Sequence, residues 1–194
     1  SDVCSSDLTS VALSLLFATS AFAETSKEFV QAKTDTVLNI VQKSKDVVTA
    51  KKEIVKESDT IFDFQRLTAF AVGKNWRSAT PEQKTKLTTE FKSLLINTYG
   101  NAMIKFKNAK VTVNTANDNG DSSIVKTTVI YGENQKASID YQLNKNDNSW
   151  RVFDVSVENI SLVMNYRTSF NETVSKKGID GLIEELHQKN EANK

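Results

Sequence analysis

"KVTVNTANDNGDSSIVKTTVIYGENQKASIDYQLNKNDNSWRVFDVSV", residues 110–157, decides the fold. Apolar and polar side chains alternate in it, or run β-branched, over "KVTVNTA", "SSIVKTTVIYG", "KASIDYQL" and "SWRVFDVSV". A period of two is the signature of a strand. The breaks between these runs, "NDNGD", "GENQ" and "NKNDN", are turn clusters. Strands joined by turns this short pair with their neighbours, so the stretch predicts an antiparallel meander.

Upstream of residue 110 the period is that of a helix. Val30, Val37, Val41, Val48 and Val55 recur at steps of four and seven, with "KSKD" predicting a break around Ser44. "DFQRLTAFAVG" predicts a short helix entered at Asp63, whose carboxylate complements the dipole, and stopped by Gly73. In "TPEQ", residues 80–83, Thr80 is placed to cap, Pro81 suits the first helical position and Gln83 completes a capping box. The helix that follows runs to about Phe106, with Leu87, Phe91, Leu94, Leu95, Thr98, Ala102 and Phe106 along one side. Tyr99 and Met103 widen that stripe, so the helix is expected to face the sheet. Downstream, "SLVMNYRTSFNETVSKKGIDGLIEELHQKN" returns to helix, divided by Gly178 and Gly181. Helices, a meander and a closing helix predict a single α+β domain with helices packed on the sheet.

The chain of 194 residues suffices for one domain of ordinary size. At its start, "LTSVALSLLFATSAFA", residues 8–23, ends in the small-x-small site Ala21-Phe22-Ala23 and reads as a secretory signal. It is shorter than the roughly 20 apolar residues of a membrane span. Residues 1–8 lack a basic n-region and resemble translated adaptor sequence; Cys4 there is in no lipoprotein-type box. The expected organisation is a signal at 1–23 and a single domain at 24–194. Without Asp2 and Asp7 the domain has 25 basic and 22 acidic residues, about +3, and no cysteine. A near-neutral balance argues against nucleic acid as partner. An exported chain without disulfides suits the bacterial periplasm.

Enzyme chemistry finds little to work with. His187 is the only histidine, in a polar tail. Zinc chemistry, a serine triad and phosphate-cradling glycine loops all lack their residues, so no catalytic residue, metal or cofactor is assigned. The carboxylates Asp63, Asp140, Asp154 and Glu158 are expected in structural or solvated roles.

Three ordered blocks resemble one family. "FAVGKNWRSATPEQKTKLTTEFKSLLINTYGNAMIKF" (70–106) is similar to its LG-x-x-W-[KR]-x-A-[ST]-P-x-Q block, and "WRVFDVSVENISLVMNYRTSFN" (150–171) to W-x-[VAI]-x-D-[VI]-x-x-[ED]-G-[VI]-S. "KKGIDGLIEEL" (176–186) matches the closing G-[IV]-D-G-L. The chain thus resembles the MlaC family of periplasmic phospholipid-binding proteins, also called toluene-tolerance auxiliary proteins. Asn159 departs from the family's glycine, yet asparagine tolerates positive φ. Val72 stands where leucine is usual.

The resemblance implies an NTF2-like cone with an apolar cavity for acyl tails. It also implies a monomeric carrier between an outer-membrane lipoprotein–porin complex and an inner-membrane ABC transporter complex, with phospholipid as cargo. The expected lining is Val72, Leu94, Leu95, Tyr99, Met103, Val129, Ile139, Val155, Leu162, Val163, Tyr166 and Phe170, with a basic rim of Lys74, Arg77 and Arg167. Leu162, Tyr166 and Phe170 would equally suit plain core. The alternatives are an NTF2-like isomerase or dehydratase, using Asp140 with Tyr141 or Asp154 with Tyr131, and a holdase-like binding module.

Overall fold

The computed structural model describes residues 24–133, 135–147 and 149–193, the side chains of 101–105 excepted. The expected signal, residues 1–23 with Cys4, lies outside the described residues. So does the Met103 side chain.

Helix α1 (Ser26–Lys43) opens with a capping box: Thr25 accepts from the Glu28 amide and the Glu28 carboxylate accepts from the Thr25 amide. The expected break falls at Ser44, and Asp46 caps α2 (Val47–Ile61) by accepting from the Thr49 amide. Asp63 does the same for α3 (Phe64–Val72) through the Arg66 amide at 2.8 Å. Gly73 stops α3 at φ 64°, ψ −133°, a conformation open to glycine and strained for other residues. A 3₁₀ turn, Gly73–Ser78, leads into α4 (Pro81–Lys105), where Thr80 and Gln83 exchange the two bonds of the expected capping box.

The meander is present as β1 (Lys110–Asn119), β2 (Ser122–Tyr131), β3 (Gln135–Asn146) and β4 (Ser149–Val157), antiparallel in chain order. A short fifth strand, β5 (Ile160–Ser161), folds back on the end of β4. Its turn places Glu158 at φ 49° and Asn159 at φ 64°, the two left-handed residues that a tight hairpin requires. The last helix, α5 (Leu162–Ala192), is kinked at Gly178 (φ 73°, ψ −178°) and runs on through Gly181.

Two bulges control which side chains face inward. Val113 pairs with Thr127 and Thr115 with Lys126, so Asn114 is the extra residue in β1. Leu143 pairs with Val152 and Gln142 with Asp154, which makes Phe153 the extra residue in β4. Each bulge reverses the alternation beyond it. Strict alternation groups Phe153, Val155 and Val157 on one face. In the structure Trp150 and Val152 share a face with Val155 and Val157, and Asp154 lies on the other.

Among the described residues, most buried apolar side chains gather in two clusters. One joins α1 to the inner face of the sheet through Phe29, Val30, Val113, Val125, Leu143, Trp150 and Val152. The other is wholly helical: Leu67, Ala71 and Val72 of α3, Leu87, Phe91, Leu94 and Leu95 of α4, and Val163, Phe170, Leu182 and Leu186 of α5. The expectation that α4 faces the sheet is therefore corrected. Its stripe from Leu87 to Leu95 is taken up by α3 and α5, Phe106 at the far end does reach the sheet at Tyr131, and α1 covers the inner face of β1 and β2. Helices α3 and α5 meet the sheet at β4.

Candidate functional site

Between α1 and the inner face of the sheet lies a cavity of about 320 Å³. The wall on the α1 side is Phe29, Val30, Val37, Leu38 and Val41. The opposite wall is Val111, Val129, Ala137, Ile139, Tyr141 and Val152, drawn from four strands. Those strand positions face one way because of the registers and the β4 bulge described above. Ile61 and Phe62 close one side, and Phe106, Ala109, Tyr131 and Val157 another. Phe106 and Tyr131 meet edge to face, ring centroids 5.0 Å apart. Val157 is 47% exposed, so the cavity reaches the surface beside the β4–β5 hairpin.

Polar groups on this wall are few. Lys33 is its charged side chain, and Nζ donates to Glu57 Oε1 and Thr60 Oγ1, each at 2.8 Å. That hydrogen bond is the main cause holding the Glu57 carboxyl below its usual value. Burial pushes the Tyr141 phenol up, and a hydrogen bond with Thr127 partly offsets it. Among the described residues, an apolar concavity with Lys33 as its charged side chain is suited to binding a chain-like apolar ligand. Among the described residues, no three metal-ligating side chains gather.

Of the expected lining, Val129 and Ile139 are on the wall, and Val155 packs half-buried on the same face. Val72, Leu94, Leu95, Leu162, Val163, Tyr166 and Phe170 do not line this cavity. They belong to the helical cluster, where Phe91 packs edge to face on both Tyr166 and Phe170 at 5.0 and 4.9 Å. The junction at 161–171 packs there because α5 turns away from the sheet onto α3 and α4. Tyr99 is 38% exposed, and its phenol is pushed up to about 12 by burial and by a hydrogen bond with Tyr166. Arg167 lies over Gly73, next to exposed Lys74, with exposed Arg77 on the same 3₁₀ turn. That basic group flanks the helical cluster and stays off the cavity wall.

Neither acid–tyrosine pair is assembled. Asp140 and Tyr141 are neighbours on β3 and point to opposite faces; Asp140 pairs with Lys126 at 3.6 Å. Asp154 is buried on the face away from Tyr131. It accepts from the Ser161 hydroxyl at 2.6 Å, the Val155 amide at 2.8 Å and the Val163 amide at 3.2 Å. It therefore clamps the start of α5. The wall residues of α1 were legible as a helical stripe from Val30 to Val41, but nothing in that stripe says which surface it covers.

An α+β domain that holds an apolar cavity between a helix and a bulged antiparallel sheet is the class this geometry defines. The family model described as MlaC protein matches residues 31–188, and the chain belongs to the MlaC family. It is 30% identical over 105 residues to the toluene tolerance protein ttg2D of Pseudomonas putida, across 54% of this chain and 49% of that one. To the intermembrane phospholipid transport system binding protein MlaC of Haemophilus influenzae it is 24% identical over 122 residues, 60% of this chain and 57% of that one. The chain thus spans about half the length of these curated relatives. The structure of a phospholipid-binding protein from Ralstonia solanacearum in complex with a phospholipid superposes with a TM-score of 0.79 at 29% identity. That match covers 88% of this chain and 99% of the other.

Proposed function

We propose that this protein is a periplasmic phospholipid carrier. It holds acyl tails in the cavity between α1 and the sheet, and exchanges them with an outer-membrane lipoprotein–porin complex and an inner-membrane ABC transporter complex. It acts as a monomer and without covalent chemistry. The observation that carries this reading is the apolar cavity itself, in a fold whose Ralstonia solanacearum relative was solved with a phospholipid. No described helix is long and apolar enough to cross a membrane.

Transfer between solvents needs affinity and release together. Each buried methylene is worth about 0.8 kcal/mol, so a few turns of acyl chain supply the affinity. Release calls for a wall that moves. Helix α1 is tied to the sheet at its first turn, where Ser26 bonds Asp118 and Ser123. Further along, Val37 and Leu38 face the cavity, and Gln42 bonds the Lys107 carbonyl beyond them. The stretch of α1 between these two ties is the wall we expect to yield.

Organic extraction and native mass spectrometry of protein expressed into the periplasm test the reading. One phospholipid per chain is the expected result. Preparations that never carry phospholipid, and never take it up from vesicles, would sink it.

A further inference from the structure

The cavity reaches the surface at one end of the sheet, where Val157 closes β4. Helix α1 runs from the opposite end to this one. Its first turn bonds Asp118 and Ser123 beside the β1–β2 turn, and Gln42 in its last turn bonds the Lys107 carbonyl just before β1. The α1–α2 turn, the start of β1, the β2–β3 turn and the β4–β5 hairpin therefore share the mouth end.

Charge divides along the same axis. Lys43 and Lys45 stand at the close of α1 and Lys107 before β1, while Lys110 and Lys136 flank Ile130 in one register row on the sheet face away from the cavity. Basic charge thus lies on both sides of the mouth end. All five lysines are exposed, and none of the ion pairs among the described residues includes them. The carboxylates here are Asp46, Glu133 and Glu158; Asp46 accepts from the Thr49 amide and Glu158 from the Ser138 amide. At the opposite end the sign reverses: Glu24, Glu28, Asp118, Asp121 and Asp147 outnumber Lys27, Lys145 and Arg151. An anionic surface turns such a domain so that its basic end leads.

Apolar side chains stand out among these lysines. Val47 and Val48 follow the α1–α2 break, 53% and 77% exposed, and Ile160, 67% exposed, is paired with Val157 at the mouth. Ammonium groups interleaved with apolar tips suit an anionic bilayer: the charges meet lipid phosphates and the tips enter the acyl boundary.

We propose that this end docks on an anionic lipid bilayer with the cavity mouth facing the membrane, through Lys43, Lys45, Lys107, Lys110 and Lys136 and the tips Val48 and Ile160. The proposal rests on the carrier reading, because a tail that enters beside Val157 then leaves the bilayer without crossing water.

Sedimentation with phosphatidylcholine vesicles, with or without phosphatidylglycerol, reads docking whether the cavity is empty or loaded. Binding is expected to the mixed vesicles alone and fades as salt is raised. Lys45→Gln, Lys107→Gln and Lys110→Gln should each weaken it about fivefold. Ile160→Ser should weaken it about as much, with melting unchanged. Lys86→Gln, the same charge change on an exposed residue near the start of α4, should leave it intact. A fluorophore on Val48→Cys should shift to the blue on docking, and one on Asp121→Cys should not. Equal binding to both kinds of vesicle, equal losses in Lys86→Gln and Lys107→Gln, or a blue shift at Asp121→Cys alone overturns the proposal. Polyglutamate binding without vesicle binding would assign the face to an acidic protein, and salt-sensitive self-association without vesicle binding to a second copy; either overturns it. Phospholipid-carrying protein that sediments with no vesicle overturns it and leaves the carrier reading standing. Protein that docks as expected and never carries phospholipid supports the docking surface and removes the carrier reading.

Discussion

The guanidinium of Arg167 lies against the α-carbon of Gly73: a side-chain carbon there would sit 3.0 Å from Nε and 3.1 Å from Nη2. Glycine is required twice over, by that approach and by φ 64°. Gly73→Ala is expected to cost about 1–3 kcal/mol through backbone strain alone. Adding Arg167→Ala should recover only the contact part of the loss. Urea unfolding of the two single variants and the double variant separates the contributions, and full recovery in the double variant would show that the strain is negligible.

Paired tryptophan substitutions distinguish cavity from core. Val163 is 1% exposed inside the helical cluster, so Val163→Trp overpacks it and should cost about 1–3 kcal/mol, with phospholipid binding retained below the melting transition. Val129 faces the apolar cavity, where an indole has room. Val129→Trp should melt close to the native protein and lose bound phospholipid. Melting and bound phosphorus measured on the same samples decide it; the opposite pairing of results would move the binding site to the 161–171 junction.

Asp154→Ala leaves the Ser161 hydroxyl and the Val155 and Val163 amides without their acceptor, at a cost of about 2–4 kcal/mol. Ser161→Ala removes the helix cap, in which the Met164 amide donates to the Ser161 hydroxyl oxygen, and one of the three bonds to Asp154, but leaves both amides their acceptor, and should cost about 1 kcal/mol. Denaturant midpoints that rank the two variants the other way would show that the clamp is not what holds α5 to β4.

The His187 ring is bonded to Glu90 at 2.9 Å, and that hydrogen bond, then the Glu90 charge, raises its pKa above 6.5. A raised folded-state value means the tie between α5 and α4 is fully present below about pH 6.5 and is lost as pH rises through the folded value. As the only histidine in the chain, His187 gives a single imidazole resonance to titrate. Its midpoint should lie above 6.5 in the native protein and return toward 6.5 in Glu90→Gln. An unshifted native midpoint would rule the tie out.

Local structure was legible in the sequence where chemistry is local. The capping box at Thr80 and Gln83, the stop at Gly73, the break at Ser44 and the positive φ of Asn159 all follow from a few neighbouring residues. The MlaC resemblance likewise rests on contiguous blocks. What the sequence hid was which apolar stripe covers which surface. The stripes of α1 and α4 look alike, and α4 meets other helices only because Phe170, Leu182 and Leu186 of α5 fold over it. The bulges at Asn114 and Phe153 hid the rest: one extra residue in each strand exchanges the faces beyond it, so Val152 lines the cavity where strict alternation would have put Phe153.

The separation into two clusters also has an optical consequence. The chain's two tryptophans fall on either side of it: Trp76 packs on the helical cluster, and Trp150 is buried in the cluster beneath α1. Intrinsic fluorescence therefore carries two addresses in one spectrum. A brominated acyl chain seated under α1 dims the emission of Trp150, whose neighbours Phe29, Val30 and Val152 form the cavity wall, and leaves Trp76 alight.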